Sequence, residues 1–164
     1  MPNVQTEVTV SSLATPADAL AFRNINEAWI SRLFSLTEED QRVLGDPQGR
    51  ILAHGGDVLL ARLGDGEVVG CVALLSLGGS IFEMAKMGVV PEAQGAGIGR
   101  RLVDAAIARA AELGGTRLFL GTNSRLQPAI HLYEAAGFER ITRDELPVAD
   151  YYARADVLMR RSLV

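Results

Sequence analysis

The chain has 164 residues, 48% hydrophobic and 22% charged, with a formal net charge of −4. This composition excludes a disordered or fibrous chain, the acidic balance excludes a general nucleic-acid binder, and the length fits one domain over 1–164. No segment approaches the ~20 apolar residues of a membrane span, no basic stretch leads into a long apolar core, and a lone Cys71 closes no internal disulfide, so a cytoplasmic setting is expected.

Gln5 to Val10 alternates polar and apolar residues and predicts an opening strand. Thr15-Pro16-Ala17-Asp18 supplies an N-cap, a first-turn proline and an acidic third position, and Leu20, Ala21, Ile25, Ala28 and Trp29 then recur at helical spacing. A shorter helix starts at Thr37-Glu38-Glu39-Asp40 and is closed by Gly45 and Pro47. Asp57 to Arg62 and Glu67 to Leu75 are strand-like runs joined by Leu63-Gly64-Asp65-Gly66, a β-hairpin pattern. Cys71 lies in the second run with no positive neighbour to activate it, and reads as a buried structural thiol. Ile81 to Val90 is the next strand.

That strand empties into Pro91-Glu92-Ala93-Gln94-Gly95-Ala96-Gly97-Ile98-Gly99-Arg100-Arg101, where three alternating glycines run into a helix. Glycines let successive backbone N–H groups converge on one anion, and the free donors and positive end of the helix reinforce the attraction. A Walker loop would need Lys-Ser or Lys-Thr where Arg100-Arg101 stands, and a dinucleotide fingerprint from Gly95 would need glycine at Arg100. Both are excluded. Val103, Ala106, Ile107, Ala110 and Leu113 form one apolar helical stripe, with Gly114-Gly115 as its C-cap. Thr116 to Leu120 is a short buried strand; Leu126, Ala129, Ile130 and Tyr133 share a helical face, and Gly137 stops that helix before a strand at Phe138 to Thr142. This strand-helix-strand order requires a right-handed parallel crossover. A polar excursion, Asp144 to Tyr152, precedes a last strand at Ala155 to Arg161. His54 and His131 read as solvent-facing, no cluster has metal-ligand spacing, and Ser76, Ser80 and Ser124 lack a nucleophile elbow.

Gln94-Gly95-Ala96-Gly97-Ile98-Gly99 matches the Q/R-x-x-G-x-G/A loop of the GNAT superfamily of N-acetyltransferases at every fixed position. The resemblance extends to Val89-Val90-Pro91 and to Ala129-Ile130-His131-Leu132-Tyr133-Glu134-Ala135-Ala136-Gly137-Phe138, and so spans Ile81 to Ile141. It implies an α/β (α+β) fold with a mixed, mostly antiparallel central sheet flanked by helices, in the order β-α-α-β-β-β-α-β-α-β-β. Two strands, Ile81 to Val90 and Thr116 to Leu120, would splay apart and admit acetyl-CoA as co-substrate, with no metal required.

The resemblance also implies roles. Backbone groups of Met87 and Val89 pair with the pantetheine arm, and the Val89 N–H holds the thioester oxygen. Gln94, Gly95, Ala96, Gly97, Ile98 and Gly99 clamp the pyrophosphate, with Arg100 or Arg101 adding charge. The family's asparagine position falls on Leu126, which leaves Asn123, one turn earlier, as the pantetheine contact. Glu83, eleven residues before Gln94, is the candidate base, acting directly, through water or electrostatically; its alternative is a solvent-facing glutamate. Tyr133 is the candidate acid toward the departing thiolate, or else a core aromatic. Strict alternation puts Glu83, Ala85, Met87 and Val89 on one side of the strand unless a bulge intervenes. The acceptor, a small-molecule amine, would meet a region holding Trp29, Phe34, Lys86, Arg125, Tyr151, Tyr152 and Arg154. Lys86 fits a substrate carboxylate or an edge lysine, whereas Asp144, Glu145 and Asp150 would steer a cationic amine. The rival to catalysis is an acyl-CoA-binding or protein-interaction module on the same fold. Family habit adds homodimerisation, with no nucleic-acid or membrane partner.

Overall fold

A computed structural model describes residues 7–164, so Gln5 and Thr6 of the predicted opening strand lie outside the described residues. The first strand described, β1 (Thr9–Ser12), ends two residues later than expected because it takes its register from a neighbour, Thr9 to Ser12 opposing Arg62 to Leu59. Both capping signals form. Asp18 N–H donates to Thr15 Oγ1 (3.1 Å) and Thr15 N–H to the Asp18 carboxylate (3.2 Å), which starts α1 (Pro16–Leu33). Thr37 and Asp40 repeat the box at 3.0 Å in both directions and start α2 (Glu38–Gly45). Asp46 then caps an unpredicted turn of helix, α3 (Pro47–Arg50). The apolar stripe of α1 differs from the expected one. Phe22, Ile25, Asn26 and Ile30 are buried, while Leu20 is 57% exposed, because the helix presents its i, i+3, i+4, i+8 positions to the sheet.

Seven strands form one sheet in the order β1-β2-β3-β4-β5-β7-β6. Besides β1 they are β2 (Asp57–Arg62), β3 (Val68–Ser76), β4 (Ile81–Val89), β5 (Arg117–Thr122), β6 (Glu139–Ile141) and β7 (Val157–Ser162). Every neighbouring pair is antiparallel except β4 and β5, which are joined through α4 (Ile98–Glu112). The helix α5 (Gln127–Ala135) leads to β6, which reaches the direction of β5 with β7 inserted between them. Apart from α3, the element order is the expected one.

The sheet divides the core in two. Leu59, Ala61, Val72, Leu74, Phe82 and Met84 pack on the α4 and α5 side, and Val58, Leu60, Cys71 and Ala73 on the α1 and α2 side. Burial on both faces explains why β2 and β3 read as apolar runs. Among the described residues no helix is long and apolar enough to cross a membrane.

One irregularity positions the site. The register jumps from Ala73 opposite Ala85 to Cys71 opposite Gly88, so Val72 faces an extra residue on β4, and Lys86 takes φ +54°. The bulge corrects the strict alternation. Glu83 stays on the α1 and α2 side and Lys86 joins it, reaching Asp40 on α2, while Met87 and Val89 turn to the α4 side.

Candidate active site

β4 and β5 pair only over Ile81 to Glu83 with Arg117 to Phe119, and β5 then continues along β7. From Met84 to Val89 the edge of β4 away from β3 has no strand beside it among the described residues. The Val90 N–H donates to the Val69 carbonyl (2.9 Å), which makes Gly70 and Val89 a non-hydrogen-bonded pair of the β3–β4 ladder. The Val89 N–H therefore points away from β3 into the gap, and alternation turns the Met87 N–H the same way. A cavity of ≈ 690 Å³ fills this gap, running from the glycine loop past Tyr133 to Trp29, Phe34 and Tyr152.

At one end lies the glycine loop, the candidate anion cradle. Gly95 (φ +85°) and Gly97 (φ +79°) adopt left-handed backbone, and Gly97 caps α4 without a side-chain hydrogen bond. The first intrahelical bond is Arg101 N–H to the Gly97 carbonyl, so the N–H groups of Ile98, Gly99 and Arg100 have no carbonyl one turn back. A Cβ on Gly99 would stand 3.0 Å from Leu132, so this glycine lets α4 approach α5 closely. Gln94 folds back to the Val89 carbonyl (3.3 Å). Of the two arginines, Arg101 is drawn to the Val8 carbonyl (2.6 Å), whereas Arg100 lines the cavity with only a 3.8 Å approach to Asp104. Ala96 does not line the cavity. Free backbone donors, a helix's positive end and an unpaired strand edge fit a pyrophosphate carried on an amide-bearing arm.

Glu83 is 7% exposed, which excludes the solvent-facing alternative. Its Oε2 accepts a hydrogen bond from the Tyr151 hydroxyl at 2.5 Å. Burial pushes its pKa up; the Tyr151 bond and the Lys86 ammonium oppose that rise. Tyr151 lies flat on β5 because residue 121 is glycine, a Cβ there falling 2.2 Å from the Tyr151 ring. The ring packs edge-on against Phe119 (5.7 Å) and Tyr152 (5.4 Å).

Lys86 is no edge lysine. It is buried, and its Nζ binds Asp40 at 2.5 Å and lies 3.4 Å from the Tyr152 hydroxyl. Asp40, fully buried, also takes both Nη groups of Arg154 at 2.7 Å and the Thr37 N–H. Burial raises the Asp40 pKa, but the Arg154 and Lys86 donors outweigh it and hold the carboxyl well below the usual carboxylate range.

Tyr133, on α5, is 7% exposed, lines the cavity and packs edge-on against Phe138 (6.0 Å). Among the described residues its hydroxyl has no hydrogen-bond partner, and burial pushes its pKa up, so the phenol keeps its proton. Asn123 borders the cavity, but its amide is engaged by the Arg154 carbonyl (2.7 Å) and the Arg125 N–H (2.9 Å). Trp29 Nε1–H donates to the side-chain Oδ1 of Asn26 (2.9 Å), whose Nδ2 in turn donates to the Cys71 sulfur (3.3 Å). Cys71 is fully buried, and burial pushes its thiol up to about 12. Phe34 is flanked by the guanidinium groups of Arg125 (5.1 Å) and Arg154 (6.0 Å). His54 and His131 are both exposed, away from the cavity.

Sequence reasoning missed Asp40, Asn26 and the pairing of Tyr151 with Glu83. Asp40 was legible only as a helix cap. A buried asparagine on the apolar face of α1 was a signal that something polar awaited it.

Residues 21–138 match the acetyltransferase (GNAT) family. An uncharacterized N-acetyltransferase of Schizosaccharomyces pombe is 30% identical over 136 residues, covering 80% of this chain and 83% of its own length. Among solved structures, an acetyltransferase of the GNAT family from Staphylococcus aureus superposes with a TM-score of 0.87 at 21% identity, covering 96% of this chain and all of that one (100%). The yncA protein of Salmonella typhimurium, solved with its cofactor acetyl-CoA, superposes with a TM-score of 0.73 at 23% identity, covering 96% of this chain and 94% of that one.

Proposed function

The chain belongs to the acetyltransferase (GNAT) family, and from that membership we propose that it transfers the acetyl group of acetyl-CoA to the primary amine of a small molecule, by direct attack in a ternary complex. The observation that carries this reading is the gap between β4 and β5, bounded by uncapped backbone donors at one end and a buried carboxylate at the other. A neighbour of the same fold holds acetyl-CoA, which supports the choice of acyl donor. Acetyl-CoA supplies a thioester already activated toward amines. The chain's own groups do the rest. Backbone N–H groups of Gly95, Gly97, Ile98, Gly99 and Arg100 bind the pyrophosphate, and the outward edge of β4 at Met87 and Val89 aligns the pantetheine arm. The Val89 N–H, fixed before reaction, is directed at the thioester oxygen, where negative charge develops on attack.

Glu83 removes a proton from the acceptor ammonium, directly or through one water. Its burial suits that task, because raising a carboxyl pKa brings the base nearer to operating pH. Tyr133 donates its phenolic proton to the departing sulfur. Burial raises the phenol pKa, so Tyr133 holds its proton until the sulfur departs.

Release of CoA from acetyl-CoA in the presence of an amine panel tests the reading, with calorimetry of acetyl-CoA and CoA alongside. Absence of heat with either ligand on folded protein refutes it. Glu83→Gln is expected to remove the acidic limb of the pH–rate profile, and an unchanged profile takes Glu83 out of the mechanism. Tyr133→Phe is expected to lower kcat about 10²-fold, within the usual range for a general acid; retained turnover defeats that role.

A further inference from the structure

Two features of the sequence point the acceptor in opposite directions, Lys86 toward an anionic group and Asp144, Glu145 and Asp150 toward a cationic one. The fold separates them. Glu145 accepts from the Thr142 N–H (3.1 Å) and pairs with Arg160 (3.3 Å), and none of the three acidic residues lines the cavity. The acceptor end is faced instead by Arg32 from α1, Lys86 from β4 and Arg154 ahead of β7, with Glu83 the one carboxylate on that wall.

The positive charge is only partly answered. Asp40, fully buried behind them, serves Lys86 and Arg154 together, and with Glu83, which also bears electrostatically on Lys86, two negative charges face the three positive ones of Lys86, Arg154 and Arg32. Arg154 spends one N–H of each Nη on Asp40 (2.7 Å) and the second Nη1–H on the Ser35 carbonyl (3.5 Å). Its Nε–H and one Nη2–H stay free for a ligand. Arg32 has no carboxylate within 4.0 Å among the described residues. Glu39, which bears electrostatically on Glu83 and Tyr152, is itself approached by Arg42 (3.5 Å). A second cation on the ligand would find the Tyr152 face taken, since its ring already draws the Lys86 ammonium and the Arg154 guanidinium, each 4.7 Å from its centroid.

We propose that the acceptor is a primary amine bearing a carboxylate, held by Arg154 and Arg32 while its amine faces Glu83, and that di- and polyamines are turned away. This inference rests on the N-acetyltransferase reading. An arginine recognises a carboxylate with planar, charge-assisted bonds, whereas a like charge brought to the same wall is repelled.

The test compares L-amino acids with their own carboxamides, and both with putrescine and cadaverine, by CoA release from the full chain. The carboxamide's amine is less basic, so more of it is unprotonated at neutral pH, and chemistry alone favours the amide. The expected result is a preference of at least about tenfold in kcat/KM for the best acid over its amide, from loss of a charge-assisted contact, with the diamines below both. Arg32→Gln, at an exposed position, is expected to raise KM for the acid and shrink that ratio. In the CoA-bound protein, the acid and not the amide should raise the melting temperature. An amide or diamine used as well as the acid overturns the inference, and so does a panel with no accepted member. Calorimetry separates the two levels: heat with acetyl-CoA but no preference for the acid refutes this inference alone, whereas no heat refutes the acetyltransferase reading as well.

Discussion

Removing one hydroxyl, in Tyr151→Phe, asks whether Glu83 is the group that titrates in the site. The bond lost is 2.5 Å long and ends on a carboxylate that is 7% exposed, so water replaces it poorly. A hydrogen bond to a charged group is worth about 1.5–3 kcal/mol, and 1.36 kcal/mol separates protonation states by a factor of ten, so the acidic limb of kcat/KM should move upward by about 1–2 pH units. The other influences on Glu83 remain in place, with Lys86 favouring the charged form and Glu39 opposing it. The phenylalanine ring keeps the slot over Gly121 and the edge contacts with Phe119 and Tyr152. The same displacement should appear without turnover in a ¹³C-NMR titration of glutamate-labelled protein. The sign for stability follows from linkage. Glu83 titrates higher folded than unfolded, so its contribution is present at pH below the unfolded carboxylate value and is lost as pH rises through the folded one. The variant should therefore lose more stability at pH 7 than at pH 4. An acidic limb that stays where it was, with the NMR titration unmoved, refutes the argument.

Asp40→Asn leaves Lys86 and Arg154 without their shared counter-charge, a loss of about 3–5 kcal/mol for a broken buried pair, or roughly 6–20 °C in Tm for a chain of this size. Thermal denaturation measures it, and a fall of less than about 2 °C would show that the cluster does not hold the fold. Acid should unfold the protein through Asp18 and Asp40, held low by Arg62 and by Arg154 with Lys86. Their folded pKa values lie below the unfolded ones, so the stability they supply is complete above the ordinary aspartate range and drains as pH falls below it; urea midpoints from pH 6 down to pH 3 should decline, and less steeply in Asp40→Asn. Gly88→Ala sets a methyl 2.8 Å from the Trp29 ring and 2.9 Å from Ile25, an overpacking cost of about 1–3 kcal/mol. Because Trp29 is the chain's single tryptophan, its emission should shift as the ring leaves Asn26, and an unchanged spectrum would contradict the packing.

Local chemistry made much of this protein readable from the chain alone. Thr15 with Asp18 and Thr37 with Asp40 start their helices through bonds three residues long, and Gly95 and Gly97 take the left-handed backbone that glycine permits in a tight turn. The order of strands and helices followed from motifs within single segments, and the place of the cleft from the family resemblance those motifs carry. Legibility failed wherever one segment depends on another. The edge strand β1 ends where β2 offers a register, and the buried side of α1 is the one the sheet selects. The bulge at Lys86 reverses the facing of Met87 and Val89, which alternation cannot anticipate, since an extra residue shows only against a partner strand.

The site itself divides in the same way. The glycine loop, Glu83 and Tyr133 stand in the sequence as recognisable pieces. Lys86 and Asp40 meet across 46 residues, Tyr151 and Glu83 across 68, and Arg154 and Asp40 across 114. Capping and turn conformation depend on neighbours a few bonds away, so sequence alone determined them. The charge balance of the wall around Glu83 and the titration of that carboxyl depend on which distant groups the folded sheet brings within hydrogen-bond reach, and only the tertiary structure decided that.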